Sequence, residues 1–247
     1  MNISEAKEIT GTLATTSKMP CNSTSIPAKY CQTGSKLAML DGSICGSCYG
    51  YSFKKGQAKG NYGFTNVKSS QEKRYLGITH PQWVEAMVKQ ILVASIVNET
   101  NYFRVHDLGD IQSLEHLENW VEVAKRLPDI KFWMPTRELQ YLYAYTKKHG
   151  NIWPENLTIR LSETFIRNHP NANVKNVESN IAAMERHAAI LNVNISGVDR
   201  KPDHSVTEKK LFTCQAYKAK ANKGTNACGD CRACWDKTVV RVIYPEH

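Results

Sequence analysis

The sequence has no hydrophobic run long enough to cross a bilayer. Its longest, Ile91–Val97, covers seven residues, where a spanning helix needs about 20. The N-terminus, MNISEAKEIT, carries acids and has no apolar stretch, so no secretory leader is expected and the cytoplasm is the expected location. There is no dense charge run either. Thirty-two Lys and Arg against 23 Asp and Glu leave a net charge of +9, but the lysines are scattered. That balance favours an anionic small molecule or nucleic acid as partner over a membrane, and a merely solvated basic surface accounts for it equally well. No linker and no internal repeat divides the 247 residues, so a single domain over 1–247 is expected.

Cysteine is absent from residues 49–213. The eight cysteines gather instead near the two ends, as Cys21, Cys31, Cys45 and Cys48, then Cys214, Cys228, Cys231 and Cys234. Disulfide frameworks spread their cysteines and belong to secreted chains, whereas metal sites gather them. The run CGDCRACW sets three thiols at Cys-x₂-Cys-x₂-Cys spacing. Such a triplet wraps three corners of an iron–sulfur cubane, and the fourth ligand comes from elsewhere. Cys214, with thirteen residues between it and Cys228, is the nearest candidate. The N-terminal group repeats the pattern: thirteen residues separate Cys31 from Cys45, and Cys48 follows two residues on. One or two [4Fe–4S] clusters are therefore expected on Cys31, Cys45 and Cys48 and on Cys214, Cys228, Cys231 and Cys234. Two zinc sites are the alternative, since thiolate ligation suits both metals. Cys21 either closes the first site or is a free thiol. If it stays out, one iron remains open to a ligand.

The middle of the chain alternates elements. A helix is expected over 80–100, then strands over 101–110, 131–136, 157–165 and 193–198, with helices between them; 238–244 reads as a last strand. Ser113 is the expected N-cap of the helix that Pro128 stops. Alternation with short joins implies parallel βαβ units. The fold expectation is α/β: a partial or irregular (β/α) barrel, with a βα core over 71–200 and loop-rich, metal-stapled segments over 1–70 and 201–247.

The strands also carry a polar stripe. Arg104 and His106 alternate with Phe103 and Val105; Thr158, Arg160 and Ser162 alternate with Leu157, Ile159 and Leu161. A polar face inside an α/β protein implies a ligand cavity, because parallel sheets rarely leave a face bare. At the strand ends stand His106, Asp107 and Asp110, then Arg137 and Glu138, then Ser162 and Glu163. His106, Asp107, Asp110, Arg137 and Arg160 are the candidates to orient substrate and move protons. Arg104, Ser162 and Glu163 are the candidates to hold a cofactor. Helix capping is the competing role for Asp110, Glu138 and Glu163.

With these motifs in view, the segments IPAKYCQTGSKLAMLDGSICGSCYG, FRVHDLGDIQS, KFWMPTRE and CGDCRACWD resemble the phage "gene product 88" family. The resemblance runs from about Lys18 to the C-terminus and implies a viral protein working in the host cytoplasm. More distantly, an N-terminal cysteine triplet ending in Cys-x₂-Cys-aromatic before a βα array is similar to radical SAM enzymes. That similarity implies a cluster on Cys31, Cys45 and Cys48 with S-adenosylmethionine at its open iron, although those enzymes usually space their first two cysteines by three residues. Two functions follow as expectations: an iron–sulfur redox or radical-type enzyme, or a non-catalytic protein, stabilised by zinc or a cluster, that binds nucleic acid or a host protein.

Overall fold

The computed structural model describes residues 1–16, 19–216 and 228–246. It is a mixed α/β protein with seven α-helices and a mostly parallel eight-stranded sheet. The chain opens with α1 (Ile3–Thr10), β1 (Ala14–Thr15), β2 (Asn22–Ser25) and α2 (Gln32–Leu37). A small hairpin of β3 (Tyr51–Ser52) and β4 (Gln57–Ala58) precedes α3 (Thr65–Gly77) and α4 (Trp83–Val97). The alternating core then runs β5 (Tyr102–Leu108), α5 (Leu114–Arg126), β6 (Lys131–Thr136), α6 (Leu139–His149), β7 (Leu157–Arg167), α7 (Val174–Leu191) and β8 (Asn194–Asp199). The short β9 (Phe212–Thr213) and β10 (Arg241–Pro245) complete the sheet. The core elements fall where the sequence pattern puts them, and Ser113 caps α5 as expected, its hydroxyl accepting from the His116 N–H.

The strand order is β1-β2-β5-β6-β7-β8-β10-β9. Every ladder is parallel except β1 with β2. Among the described residues no ladder joins β1 to β9, so the row does not close into a barrel. The edges explain why. Each is a two-residue strand, too short to carry the ladder around.

Helices α4 to α7 pack on one face of this sheet. Trp83, Leu117, Trp120, Leu142 and Leu191 meet Phe103, Val105, Phe132, Met134 and Ile159 in one buried cluster. The opposite face is the polar one, and it is divided in two. Residues 233–240 cross its lower half, at the amino-terminal side of the strands. There Thr158 donates to the Trp235 carbonyl at 2.8 Å. The Trp235 indole donates to the Phe103 carbonyl at 2.9 Å and packs against Trp133 and Tyr102. Arg160, fully buried, donates to the carbonyls of Cys234, Ile195, Val239, Ala233 and Asp236. An arginine fork and a buried indole thus tie this segment to the sheet through protein groups, and these contacts lend no support to the expected metal staple.

Candidate functional site

Over the upper half of the polar face lies a cavity of about 970 Å³. In parallel α/β sheets, ligands bind at the carboxyl ends of the strands, and the loop that forms the cavity roof is fixed there. Residues 26–48 leave the end of β2 and lie across the ends of the next three strands. At β5, Gln32 donates to the Gln112 carbonyl at 2.8 Å. At β6, the Glu138 carboxylate accepts from the Thr33 N–H at 2.9 Å and from its hydroxyl at 2.8 Å. At β7, the Ile44 N–H donates to the Thr164 carbonyl at 2.9 Å, and the Ile166 N–H donates to the Gly42 carbonyl at 2.8 Å. Gly109, at the end of β5, has a φ of +91°, and a Cβ there would stand 2.2 Å from Ile26. Only glycine lets the roof start this close to the sheet.

This loop carries Cys31, Cys45 and Cys48, and all three line the cavity. A Cβ on Gly34 would press on the Cys31 Cβ at 3.1 Å and meet the Cys45 and Cys31 sulfurs at 3.5 and 3.9 Å, so the backbone of α2 runs between the two thiols. Burial pushes the Cys31 thiol well up, with Asp110 and Cys45 adding to it. Burial also raises Cys45, against the pull of Arg137. Both are neutral thiols unless a cation joins them.

Cys21 does not belong to this group. It is buried against Trp133, Trp235 and Cys234. Burial drives its thiol up to about 12, opposed by Arg104 and helped by Cys228 and Cys234. Cys214 is pushed to about 12 by burial and then by Cys234, Cys228 and Cys231. The C-terminal group therefore gathers Cys21 with Cys214, Cys228, Cys231 and Cys234, under the lower half of the sheet. Among the described residues, no three His, Cys, Asp or Glu side chains are arranged to hold a metal ion.

The sequence-derived site residues separate into two sets. Arg104, Asp107, Asp110, Arg137 and Ser162 line the cavity beside the three thiols. Asp107 is almost wholly buried; its Oδ2 accepts from the Tyr62 hydroxyl at 3.3 Å. Burial raises its carboxyl while Arg104 and Arg74 pull it down. The Arg104 guanidinium lies 4.4 Å from the centre of the Trp133 ring. Arg137 donates to the carbonyls of Ser162 and Glu163. Asp110 has both carboxylate oxygens engaged, with Thr136 at 2.6 Å, the Ile111 N–H at 2.8 Å and the Arg137 N–H at 2.9 Å. Burial lifts its carboxyl to about 6 against the Thr136 hydrogen bond. Asp110 thus braces the turn, as Glu138 braces the roof.

Arg160 and Glu163 stand elsewhere, and His106 lines the cavity although its ring turns toward the helix layer. Arg160 clamps the C-terminal segment. Glu163 is buried in ion pairs with Arg167 at 2.6 Å and Arg241 at 3.2 Å. His106 has a φ of +58° inside β5, a left-handed backbone that a non-glycine residue rarely adopts. This turn resets the side-chain alternation. The His106 ring packs at right angles to Trp120 and against His116 of the helix layer, while Asp107 takes the cavity side. The expectation that His106 shares a face with Arg104 fails for this local reason. Sequence reasoning missed Arg74, Tyr62 and Trp133, which also line the cavity. Arg74 sits on a helix without amphipathic pattern and carried no signal. Trp133 is in register with Arg104 on the neighbouring strand and could have been read from it.

Against known proteins, the family model described as Gene product 88 matches residues 2–237. The chain belongs to this phage protein family. No curated protein and no solved structure matches it. The match spans both cysteine groups and every cavity residue named above. The similarity to radical SAM enzymes rests on the cysteine pattern alone. No helix among the described residues is long and apolar enough to cross a membrane.

Proposed function

We propose that this phage protein is an iron–sulfur redox enzyme acting on a small molecule bound in the cavity. Cys31, Cys45 and Cys48 would hold a [4Fe–4S] cluster at the cavity roof, and the C-terminal cysteines a second one. The observation that carries the reading is a thiol-only trio on one loop, over the carboxyl ends of parallel strands, facing a polar cavity. The donor chemistry fits: the buried Cys31 and Cys45 thiols, both pushed up by burial, need a soft cation to become thiolates. The location of Cys21, beside Cys234, supports a three-thiolate first site. When bound, such a cluster supplies electrons and one iron free to take an exogenous ligand. The chain's own residues bind and orient: Arg137 and Ser162 on one wall, Arg104 and Asp107 on the other, with Tyr49 and Tyr62 completing the lining.

The test is anaerobic purification from iron-replete cells. Iron and acid-labile sulfide should appear in equal amounts. Cys45→Ala should lose one cluster's worth, and Cys21→Ala should leave the cavity cluster in place. Adding S-adenosylmethionine to the reduced protein asks whether the open iron takes that ligand, read by a change in the EPR spectrum. Stoichiometric zinc without sulfide would overturn the iron–sulfur reading. Loss of the cavity cluster in Cys21→Ala would overturn its three-thiolate form.

A further inference from the structure

Two charged side chains lie next to each other in the cavity without pairing. The Arg104 Nη2 approaches the Asp107 backbone carbonyl at 3.5 Å, yet among the described residues no ion pair joins the guanidinium to the carboxylate. Arg104 Nε is buried with no hydrogen-bond partner, and so are Asp107 Oδ1 and Trp133 Nε1. All three residues line the cavity, and Asp107 and Trp133 are more than nine-tenths buried. Buried polar atoms in native proteins are nearly always satisfied. Here a cationic donor, a neutral donor and an anionic acceptor lack partners in residues that line one space.

The partners they lack can come from one molecule. Arg104 and Trp133 call for a negative or acceptor group; Asp107 calls for a positive donor. The Arg104 guanidinium reaches the Asp107 backbone at 3.5 Å, so the ligand's two groups must also lie close together. A lone anion would leave Asp107 unpaired and add repulsion; a lone cation would do the same to Arg104. We propose that the cavity binds an α-amino acid group, carboxylate on Arg104 and Trp133, ammonium on Asp107. Tyr62 donates to the Asp107 carboxylate at Oδ2, which leaves Oδ1 for the ligand. The remainder of the ligand extends along Tyr49 and Phe53, an aromatic wall. The inference is independent of the cluster reading, since none of these groups is a thiol.

Titration calorimetry on the full chain tests it, with iron, sulfide and zinc measured on the same sample. The probes are L-norleucine, hexanoate, which is norleucine without its amino group, and pentylamine, which is norleucine without its carboxylate. The flexible chain adapts to any apolar wall. Norleucine should bind at least tenfold more tightly than either fragment. Asp107→Asn should abolish its advantage over hexanoate, and Arg104→Gln its advantage over pentylamine. The comparison among the three probes on the wild-type protein needs no variant to fold. Equal affinity for all three, no saturable norleucine binding at millimolar concentration, or an Asp107→Asn protein that binds norleucine like the wild type would each overturn the proposal. A metal-free sample that still prefers norleucine would uphold it while the cluster reading fails.

Discussion

At the residue scale, two buried side chains differ sharply in how their hydrogen bonds constrain charge. Both ring nitrogens of His116 face N–H donors, the Gln112 amide at 3.2 Å and the Trp120 indole at 2.9 Å. A protonated ring would set N–H against N–H twice. Burial depresses its pKa well below the usual value, with His106 adding to this. His106 is itself lowered to about 3 by burial and then by Arg104. A depressed histidine contributes stability above about pH 6.5 that is lost as pH falls below it, at about 1.4 kcal/mol per pH unit for each group. Asp110 works oppositely: its raised value favours the fold at low pH, an advantage lost as pH rises through about 6. Guanidinium unfolding of His116→Gln between pH 6.5 and 5 cancels the Asp110 contribution by comparison with wild type. The variant's stability should fall less steeply by about one histidine's worth; identical slopes would show that His116 is charged in the native state. Arg160 is the other case. Arg160→Met strands five carbonyls and should cost about 3 kcal/mol or more. Arg160→Lys should recover little, because an ammonium lacks the planar fork. Denaturant titration and proteolysis within 201–216 read both outcomes.

At the scale of elements, the roof loop is held at its ends by backbone hydrogen bonds to β5 and β7 and in its middle by side chains. Helix α2 has six residues, too few to persist alone, and its first turn depends on the Glu138 carboxylate. Glu138→Ala should raise amide exchange over 32–37 at least tenfold and lower retention of any metal on Cys31. The global cost should stay at about 1–2 kcal/mol, because the helix layer is untouched. Unchanged exchange at Thr33 would mean that the loop is fixed some other way.

At the scale of the whole molecule, the C-terminal segment serves as the second layer of the sheet's polar half, where helices serve the apolar face. Trp235 is its anchor, packed on Trp133 and Tyr102 and bonded to the Phe103 carbonyl. Trp235→Ala should cost about 3–5 kcal/mol. Trp235→Phe should keep the packing, lose the hydrogen bond, and cost about 1–2 kcal/mol. If Ala and Phe cost the same, the indole hydrogen bond and not the packing holds the layer. The cysteine groups should then differ in consequence. Changing Cys45 should leave global stability nearly intact, since its loop roofs the cavity, whereas damage to the 228–240 segment should weaken the sheet itself.

How much of this was legible in the sequence follows from where the signals are local. Alternating apolar strands and amphipathic helices over 80–200 repeat at their own periods, so the βα core and the Ser113 cap of α5 could be read directly. The cysteine spacing marked two groups, and the strand-end residues Asp107, Arg137 and Ser162 do line one cavity. The N-terminal elements were not legible. Strand β2 is NSTS, four polar residues, three of them buried, because it pairs with β5 and meets Arg74 rather than an apolar layer. Polar residues in a strand leave no periodic trace. The membership of Cys21 was decided by tertiary contact alone: it is 10 residues from Cys31 in the chain but packs against Cys234. The turn at His106 changed which neighbour faces the cavity, and Arg160 spent its charge on carbonyls that the sequence sets more than 30 residues away. Period and spacing are properties of neighbours in the chain; the partner of a buried charge is fixed only when the layers close.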